Sequence, residues 1–309
     1  MKITHVEIEN YRAIRKMEID LDPQDDCLVL AGLNGSGKSS FLEAVLTGLG
    51  TPFDMREQLK GQDYRVVLDL LEEGFTGRLV ATGKYKPKNV PQFSACYFSS
   101  WRAPKRVHGV PLMVGKKGKR PAKEERNALW NLKQCLVSLP SLASYSSGSD
   151  MKDKLSRIYK SINALWTEFY PGQKEQFEVD IENGGTEEVQ ALGTEAEPKF
   201  ELYLKKKGGR RISVDELSSG EIELLALFGT LIADRELKGK PHDFVFLDEP
   251  ELHLNPVWHR MLVPLLRKYS PGTQFFIASH SPAIWDSVYS GQRVFFENGG
   301  IANEGVNNG

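Results

Sequence analysis

The stretch CLVLAGLNGSGKSSFLEAVLTGL, beginning at Cys27, constrains the fold more than any other part of this chain. Cys27-Leu28-Val29-Leu30-Ala31 is an unbroken apolar run without alternation, the pattern of a strand buried on both faces. It enters a glycine-rich loop and then a helix-forming segment. Gly32 to Ser39 fits G-x-x-x-x-G-K-[ST] in the strand, loop and helix context that this pattern requires. Phosphate chemistry accounts for each residue type. Gly35 and Gly37 let the backbone curl so that successive N–H groups face phosphate oxygens, Lys38 reaches the β- and γ-phosphates, and Ser39 offers a hydroxyl to Mg²⁺. The candidate phosphate-binding residues are therefore Gly32, Leu33, Asn34, Gly35, Ser36, Gly37, Lys38, Ser39 and Ser40.

A chain of 309 residues, 40% of them hydrophobic, can bury a sizeable core as one large domain with an insertion. Lys and Arg (40) balance Asp and Glu (41), so net charge names no polyanionic partner and any nucleic-acid face must be local. Cys27, Cys96 and Cys135 form no CxxC pair, which argues against a disulfide framework or a zinc site and fits a reducing cytoplasm. No apolar run approaches the roughly 20 residues that span a bilayer, and the opening MKITHVEIENYRAIRK alternates like a strand rather than reading as a signal peptide. The expectation is a cytoplasmic protein without a membrane partner.

Thr4, Val6 and Ile8 alternate, as do Met17, Ile19 and Leu21, predicting two half-buried strands joined through Asn10-Tyr11-Arg12. Two β-rich stretches between Tyr64 and Tyr85 flank EEGFTG as a hairpin, and residues 92–100 read as a further strand. Residues 102–126 are rich in Lys, Arg, Gly and Pro, the composition of an exposed basic loop. Leu155, Ile158, Tyr159, Ile162, Leu165, Trp166 and Phe169 then form one apolar stripe at helical spacing, stopped by Pro171. Phe177-Val179-Ile181 and Phe200-Leu202-Leu204 predict strands, the second followed by the turn-like KKKGGRR. Beyond a helix from about Ser219, strands DFVFLDEP and QFFIASH alternate with helices, the signature of a mainly parallel sheet.

FVFLDEP drives a core strand straight into Asp248 and Glu249. Two acids at the tip of such a strand are costly unless they hold a cation or a reacting water. Beside a phosphate loop, Asp248 belongs with Ser39 in the Mg²⁺ shell and Glu249 is placed to polarise an attacking water. Asp215 to Glu221, DELSSGE, can be read as a plain helix start, with Ser218 as cap and Glu221 three residues later.

DELSSGE also resembles the LSGGQ-like signature of ABC ATPases. The order of phosphate loop, LSSGE, LDEP and then Ser279-His280 at a strand end is similar to that superfamily. The long stretch between Lys38 and Ser218, the opening IENYRAI and the closing IASHSPAIWDS resemble its SMC/RecF/OLD-like group rather than transporter ATPases. The resemblance covers about residues 1–100 and 199–297. It implies an α/β fold, a P-loop ABC-type head with a β-rich N-terminal lobe and a helical insertion: core 1–100 and 199–309, insertion 101–198 comprising the basic loop and helices. It implies ATP and Mg²⁺ as ligands, Ser218, Ser219 and Gly220 closing on the γ-phosphate held by an opposite subunit, Glu249 as the catalytic carboxylate that positions water and His280 as γ-phosphate sensor. One departure stands out. Where the group places a glutamine, the end of QFSACYFSS has none and shows only Ser99, Ser100 and Arg102.

The reading is an ATP-driven homodimer or higher oligomer, acting as a nucleotide switch in antiphage defence or DNA processing and controlling a separately encoded nuclease or toxin. A slowly hydrolysing scaffold and a transporter subunit are the alternatives. KKKGGRR and the basic loop offer phosphate contacts to DNA or RNA, or are simply solvated; His253 and His259 lack metal-ligand spacing.

Overall fold

Alternation of apolar and polar residues builds one sheet of this protein, and unbroken apolar runs build another. A computed structural model describes residues 1–51, 63–73, 75–99, 110–111, 129, 131–137, 150–181 and 199–302. They divide between two units, Met1–Ser100 with His242–Gly309, and Trp101–Pro241. The basic stretch 102–126 lies outside the described residues apart from Val110 and Pro111.

In the first unit, β1 (Lys2–Tyr11) pairs antiparallel with β2 (Ile14–Asp20) on one side and β4 (Arg65–Glu72) on the other, and β5 (Phe75–Thr82) closes the edge. Val6, Ile8, Met17, Ile19, Val66, Leu68 and Leu70 point into the core, as period two requires. Thr4 does not follow the expected alternation. The register shifts between Ile3 and His5, so a bulge at Thr4 turns Ile3 inward in its place.

The second sheet has the order β14-β13-β3-β12-β11-β6, from β3 (Cys27–Gly32), β6 (Ala95–Phe98), β11 (Phe244–Asp248), β12 (Gln274–Ser279), β13 (Arg293–Glu297) and β14 (Gly300–Ile301). β13, β3, β12, β11 and β6 run parallel, and β14 alone turns back. Every residue of β11 and β12 is buried, which is why their sequences show no alternation. Helix α1 (Lys38–Gly48) supplies Phe41, Leu42, Val45 and Leu46 to a core shared with both sheets. It packs close enough to β4 that a Cβ on Gly48 would come within 2.8 Å of Leu68.

In the second unit β9 (Lys199–Lys205) is central. It pairs along its length with β8 (Gln176–Ile181) and, on its other edge, with β7 (Val110–Pro111) and β10 (Arg211–Ser213). Helix α2 (Asp150–Phe169) ends just ahead of Pro171 and buries Ile158, Ile162, Leu165, Trp166 and Phe169, matching the predicted stripe. It packs against α3 (Ser219–Lys238), with Phe169 and Phe228 in ring contact. Because β9 is bound to β8 and α3 to α2, residues 199–241 belong with this unit. The sequence boundary at 199 therefore differs from the structural one at 242.

Lys133, in the helical residues 131–137, is fully buried and pairs with Asp215 at 2.6 Å and Glu201 at 2.7 Å. Removing the cation strands two buried carboxylates. Lys133→Met should cost about 3–5 kcal/mol, measured by urea unfolding of the purified chain; a change below about 1 kcal/mol would show the cluster behaving like a solvated surface pair.

Candidate functional site

Three glycine positions shape the loop after β3. Gly32, Gly35 and Gly37 all take positive φ (143°, 76° and 107°). A Cβ on Gly32 would sit 2.4 Å from the Phe296 carbonyl oxygen, and one on Gly37 would lie 3.3 Å from Gly299 Cα. The loop thus rests against the β13–β14 turn, whose Gly299 N–H donates to Ser36 O at 3.0 Å. Gly37 caps α1 in the left-handed region without any side-chain cap, leaving that helix end to an anion.

Lys38 donates from Nζ to Gly32 O (3.0 Å) and Leu33 O (2.9 Å). Burial lowers its pKa, against the raising influence of Glu249, Asp248 and Glu251. The Leu33 side chain projects into solvent, so its part in this loop is played by its backbone. Ser39, one residue into α1, donates to Asp248 Oδ1 at 2.9 Å, joining the loop to the tip of β11. On the far side of that carboxylate, the Tyr97 hydroxyl of β6 lies 3.5 Å from Oδ2. β6 therefore offers Asp248 a tyrosine in the region where the resembled group places a glutamine.

Glu249 adopts φ +50°, with its N–H held by Ala278 O at 2.8 Å. Such a conformation costs a non-glycine residue of order 1–3 kcal/mol and persists where the surroundings over-determine it. It sets Glu249 Oε1 3.2 Å from Nε2 of His280, which follows β12. Asn34, Gly35, Gly37, Lys38, Ser39, Ser40, Glu249 and His280, with Ala13 from the β1–β2 turn, line a cavity of about 220 Å³. That is below the ~300–1,000 Å³ that encloses a whole ligand, and suits a chain of phosphates. The paired Ser39 and Asp248 oxygens suit Mg²⁺, a hard cation held by one or two carboxylates together with substrate phosphates.

The signature residues lie in the second unit. Ser218 caps α3 in a complete capping box with Glu221, and Tyr170 donates to Glu221 Oε1 at 2.6 Å. The helix-start reading of this segment is thus realised. With the Ser218 and Glu221 N–H groups taken by the box, the backbone N–H groups of Ser219 and Gly220 precede the first intrahelical bond, made by Ile222 to Ser218. In the KKKGGRR hairpin, Lys205 and Arg211 pair with Glu178, and Lys206 with Glu175. Among the described residues no group of three or more His, Cys, Asp or Glu could hold a metal, and no helix is long and apolar enough to cross a membrane.

Sequence reasoning passed over Ala13, Tyr97, Glu251 and Gly299. The run ENGG announced a turn at 297–300, but nothing local tied that turn to a loop more than 250 residues earlier.

Two family models match this chain. Residues 1–49 match a family model described as "AAA ATPase domain", and residues 138–286 one described as "AAA domain, putative AbiEii toxin, Type IV TA system". The Septu protein PtuA of Bacillus mycoides is 22% identical over 96% of this chain and 40% of its own length. A Vibrio cholerae protein named "Retron Vc95 probable ATPase" is 34% identical over 28% of this chain and 18% of its own. The chain thus spans less than half the length of these relatives. Among solved structures, an Smc head domain with an extended coiled coil, bound to a ScpA domain from Pyrococcus furiosus, aligns over 97% of this chain and 94% of its own, at 15% identity and TM-score 0.57. The recombination mediator protein RecF aligns over 97% of both chains at 15% identity and TM-score 0.52. At such identities the structures speak for the fold alone.

Gly299 gives the site a direct test. Its φ is +79° and a Cβ there would lie 2.0 Å from Ala13 O, whereas the nearest atom to a Cβ on Gly300 is 3.7 Å away. Gly299→Ala should push apart the loop and the β1–β2 turn and weaken ATP binding about tenfold, a misplacement effect. Gly300→Ala should leave it unchanged. Fluorescent-nucleotide titration compares the two, and equal affinities would dismiss the turn as a support of the loop.

Proposed function

Because this chain belongs to the SMC/RecF/OLD-like P-loop ATPases, we propose that it binds ATP with Mg²⁺ in the cavity above Lys38 and Ser39 and hydrolyses it. The observation that carries this reading is the convergence at one sheet edge of Ser39 with Asp248 and of Glu249 with His280. Mg²⁺, when bound, supplies charge neutralisation for phosphate oxygens. Ser39 and Asp248 are the residues fitted to hold it. Lys38 exchanges its two carbonyl partners for phosphate oxygens. Glu249 orients water and accepts its proton, and His280 donates from Nε2 to the terminal phosphate, which restrains the water from the other side.

The N–H groups of Ser219 and Gly220, which precede the first intrahelical bond, support a composite site, in which the α3 start of one subunit closes on the phosphates held by another. Binding then favours a closed homodimer or higher oligomer and hydrolysis releases it, a switch rather than an end in itself. The output we assign to it is control of a separately encoded nuclease or toxin, in antiphage defence or DNA processing, in keeping with relatives named for a Septu system and a retron. Contact with DNA or RNA, if made through the basic loop, would rest on phosphates and weaken steeply with salt. The cytoplasm is the matching compartment. A second reading, a slowly hydrolysing scaffold gated by nucleotide, is favoured by Tyr97 standing beside Asp248 on β6.

Glu249→Gln should keep ATP binding while hydrolysis falls about 10²–10⁴-fold, leaving an ATP-stabilised dimer by light scattering. Full turnover in that variant removes Glu249 from the mechanism. Lys38→Ala should lose affinity instead. Gly220→Asp places a carboxylate against the phosphates and should abolish ATP-dependent dimerisation; a normal dimer would refute the composite site. The parental turnover number separates the switch from the scaffold.

A further inference from the structure

Glu251 stands two residues beyond Glu249 and its side chain turns back toward β12. Its Oε1 accepts two hydrogen bonds there, from the Ser279 hydroxyl at 2.8 Å and from the His280 backbone N–H at 2.6 Å. Its Oε2 is buried with no hydrogen-bond partner among the described residues. A carboxylate committed in this way through one oxygen is spent on the conformation of the strand end. The bonds are charge-assisted and correspondingly strong.

The rest of the turn is braced from the same side. Ser281 N–H donates to Ser279 Oγ at 3.0 Å, Ser281 Oγ contacts His259 Nδ1 at 2.8 Å, and His259 Nε2 faces Leu254 O at 3.4 Å. His259 belongs to α4 (Pro256–Tyr269), which Asn255 caps. Leu252 N–H returns to Glu249 O and Leu254 N–H to Glu251 O, so Glu249 and Glu251 ride on one tight turn. The segment after β11 therefore presents Glu249 to the cavity and, with its next acid, fixes the backbone that carries His280. The contact of 3.2 Å between the His280 and Glu249 side chains depends on both.

We propose that Glu251 is a positioning residue for ATP hydrolysis, acting through His280 by holding the end of β12 in the one conformation that keeps the imidazole against Glu249. The inference rests on the hydrolytic reading given above and adds a residue to it. Glu251 touches neither phosphate nor water. Its effect is geometric, so what matters is an acceptor at Oε1. A leucine at 251 leaves the His280 N–H and the Ser279 hydroxyl without that acceptor and frees the ring to drift; a displacement near 1 Å costs on the order of 10²-fold in rate. A glutamine keeps an acceptor oxygen at the same reach.

The test is steady-state ATP hydrolysis by the full chain carrying Glu251→Leu, Glu251→Gln, His280→Ala or the Glu251→Leu/His280→Ala pair, with Glu249→Gln alongside. Glu251→Leu should lower kcat about 10- to 100-fold with KM and ATP affinity within about threefold of the parent. Glu251→Gln should restore kcat to within about threefold. In the His280→Ala background, Glu251→Leu should add less than about threefold, since residues acting as one unit are not additive. Parental kcat in Glu251→Leu, an undiminished loss in the His280→Ala background, or a Glu251→Gln as slow as Glu251→Leu would each overturn the inference. If Glu251→Leu does not fold, Ser279→Ala removes one of the two donors, and a loss of kcat that vanishes with His280→Ala supports the same role. Parental turnover in both Glu249→Gln and His280→Ala takes down the hydrolytic reading and the inference with it; a collapse in those two beside a normal Glu251→Leu and a normal Ser279→Ala takes down the inference alone.

Discussion

Parallel pairing of β3, β12 and β11 is the constraint on which the site depends. The three strands are far apart in sequence, yet Ser279 lies opposite Ala31 and Asp248 opposite Ala278, so all three end at one edge of the sheet. Neighbouring strands stand about 4.8 Å apart, and the groups just beyond their ends come within hydrogen-bonding reach. A slip of two residues along one ladder would move Asp248 by about 6–7 Å and break its 2.9 Å bond with Ser39. Burial of the strands on both faces holds the register, because each apolar side chain has its own place in the core. The opening at the carboxyl ends of parallel strands is where this architecture generally receives ligands.

Charge is concentrated at that opening. Asp248, Glu249 and Glu251 all bear on Lys38, whose burial lowers its pKa, so acid and base there offset one another's desolvation. The strained Glu249 backbone belongs to the same arrangement. A left-handed residue at the end of a fully buried strand turns the chain at once, which puts Glu249 beside the cavity and frees Glu251 to reach the next strand. The second unit shows the same economy around Lys133, where one buried cation serves two carboxylates, one of them three residues ahead of the signature serine.

Much of this was legible in the sequence, for identifiable reasons. The parallel strands announced themselves by apolar runs without alternation, and Pro171 marked a helix end through backbone chemistry. The phosphate loop and the acids of DEP carried their chemistry in residue type and spacing. Other features depended on contacts across long chain separations. Thr4 alternated correctly on paper, but a bulge set by pairing with β4 displaced it. Gly299 looks like any turn glycine until its neighbours are known, and Tyr97 meets Asp248 only through the pairing of β6 with β11. Residues 199–241 fall within the second unit because β9 follows its partners β8 and β10, a long-range pairing that no local motif reveals.

Lys38 is already ligated by the Gly32 and Leu33 carbonyls of its own loop. An ammonium with two internal acceptors keeps the loop wound as a ring around it, so the entropy of ordering that segment is lost during folding and not again at each encounter with ligand. An incoming phosphate therefore competes with the protein's own carbonyl oxygens for one cation. Selectivity would then be a contest between acceptors, which a multiply charged phosphate is better equipped to win than a neutral carbonyl oxygen.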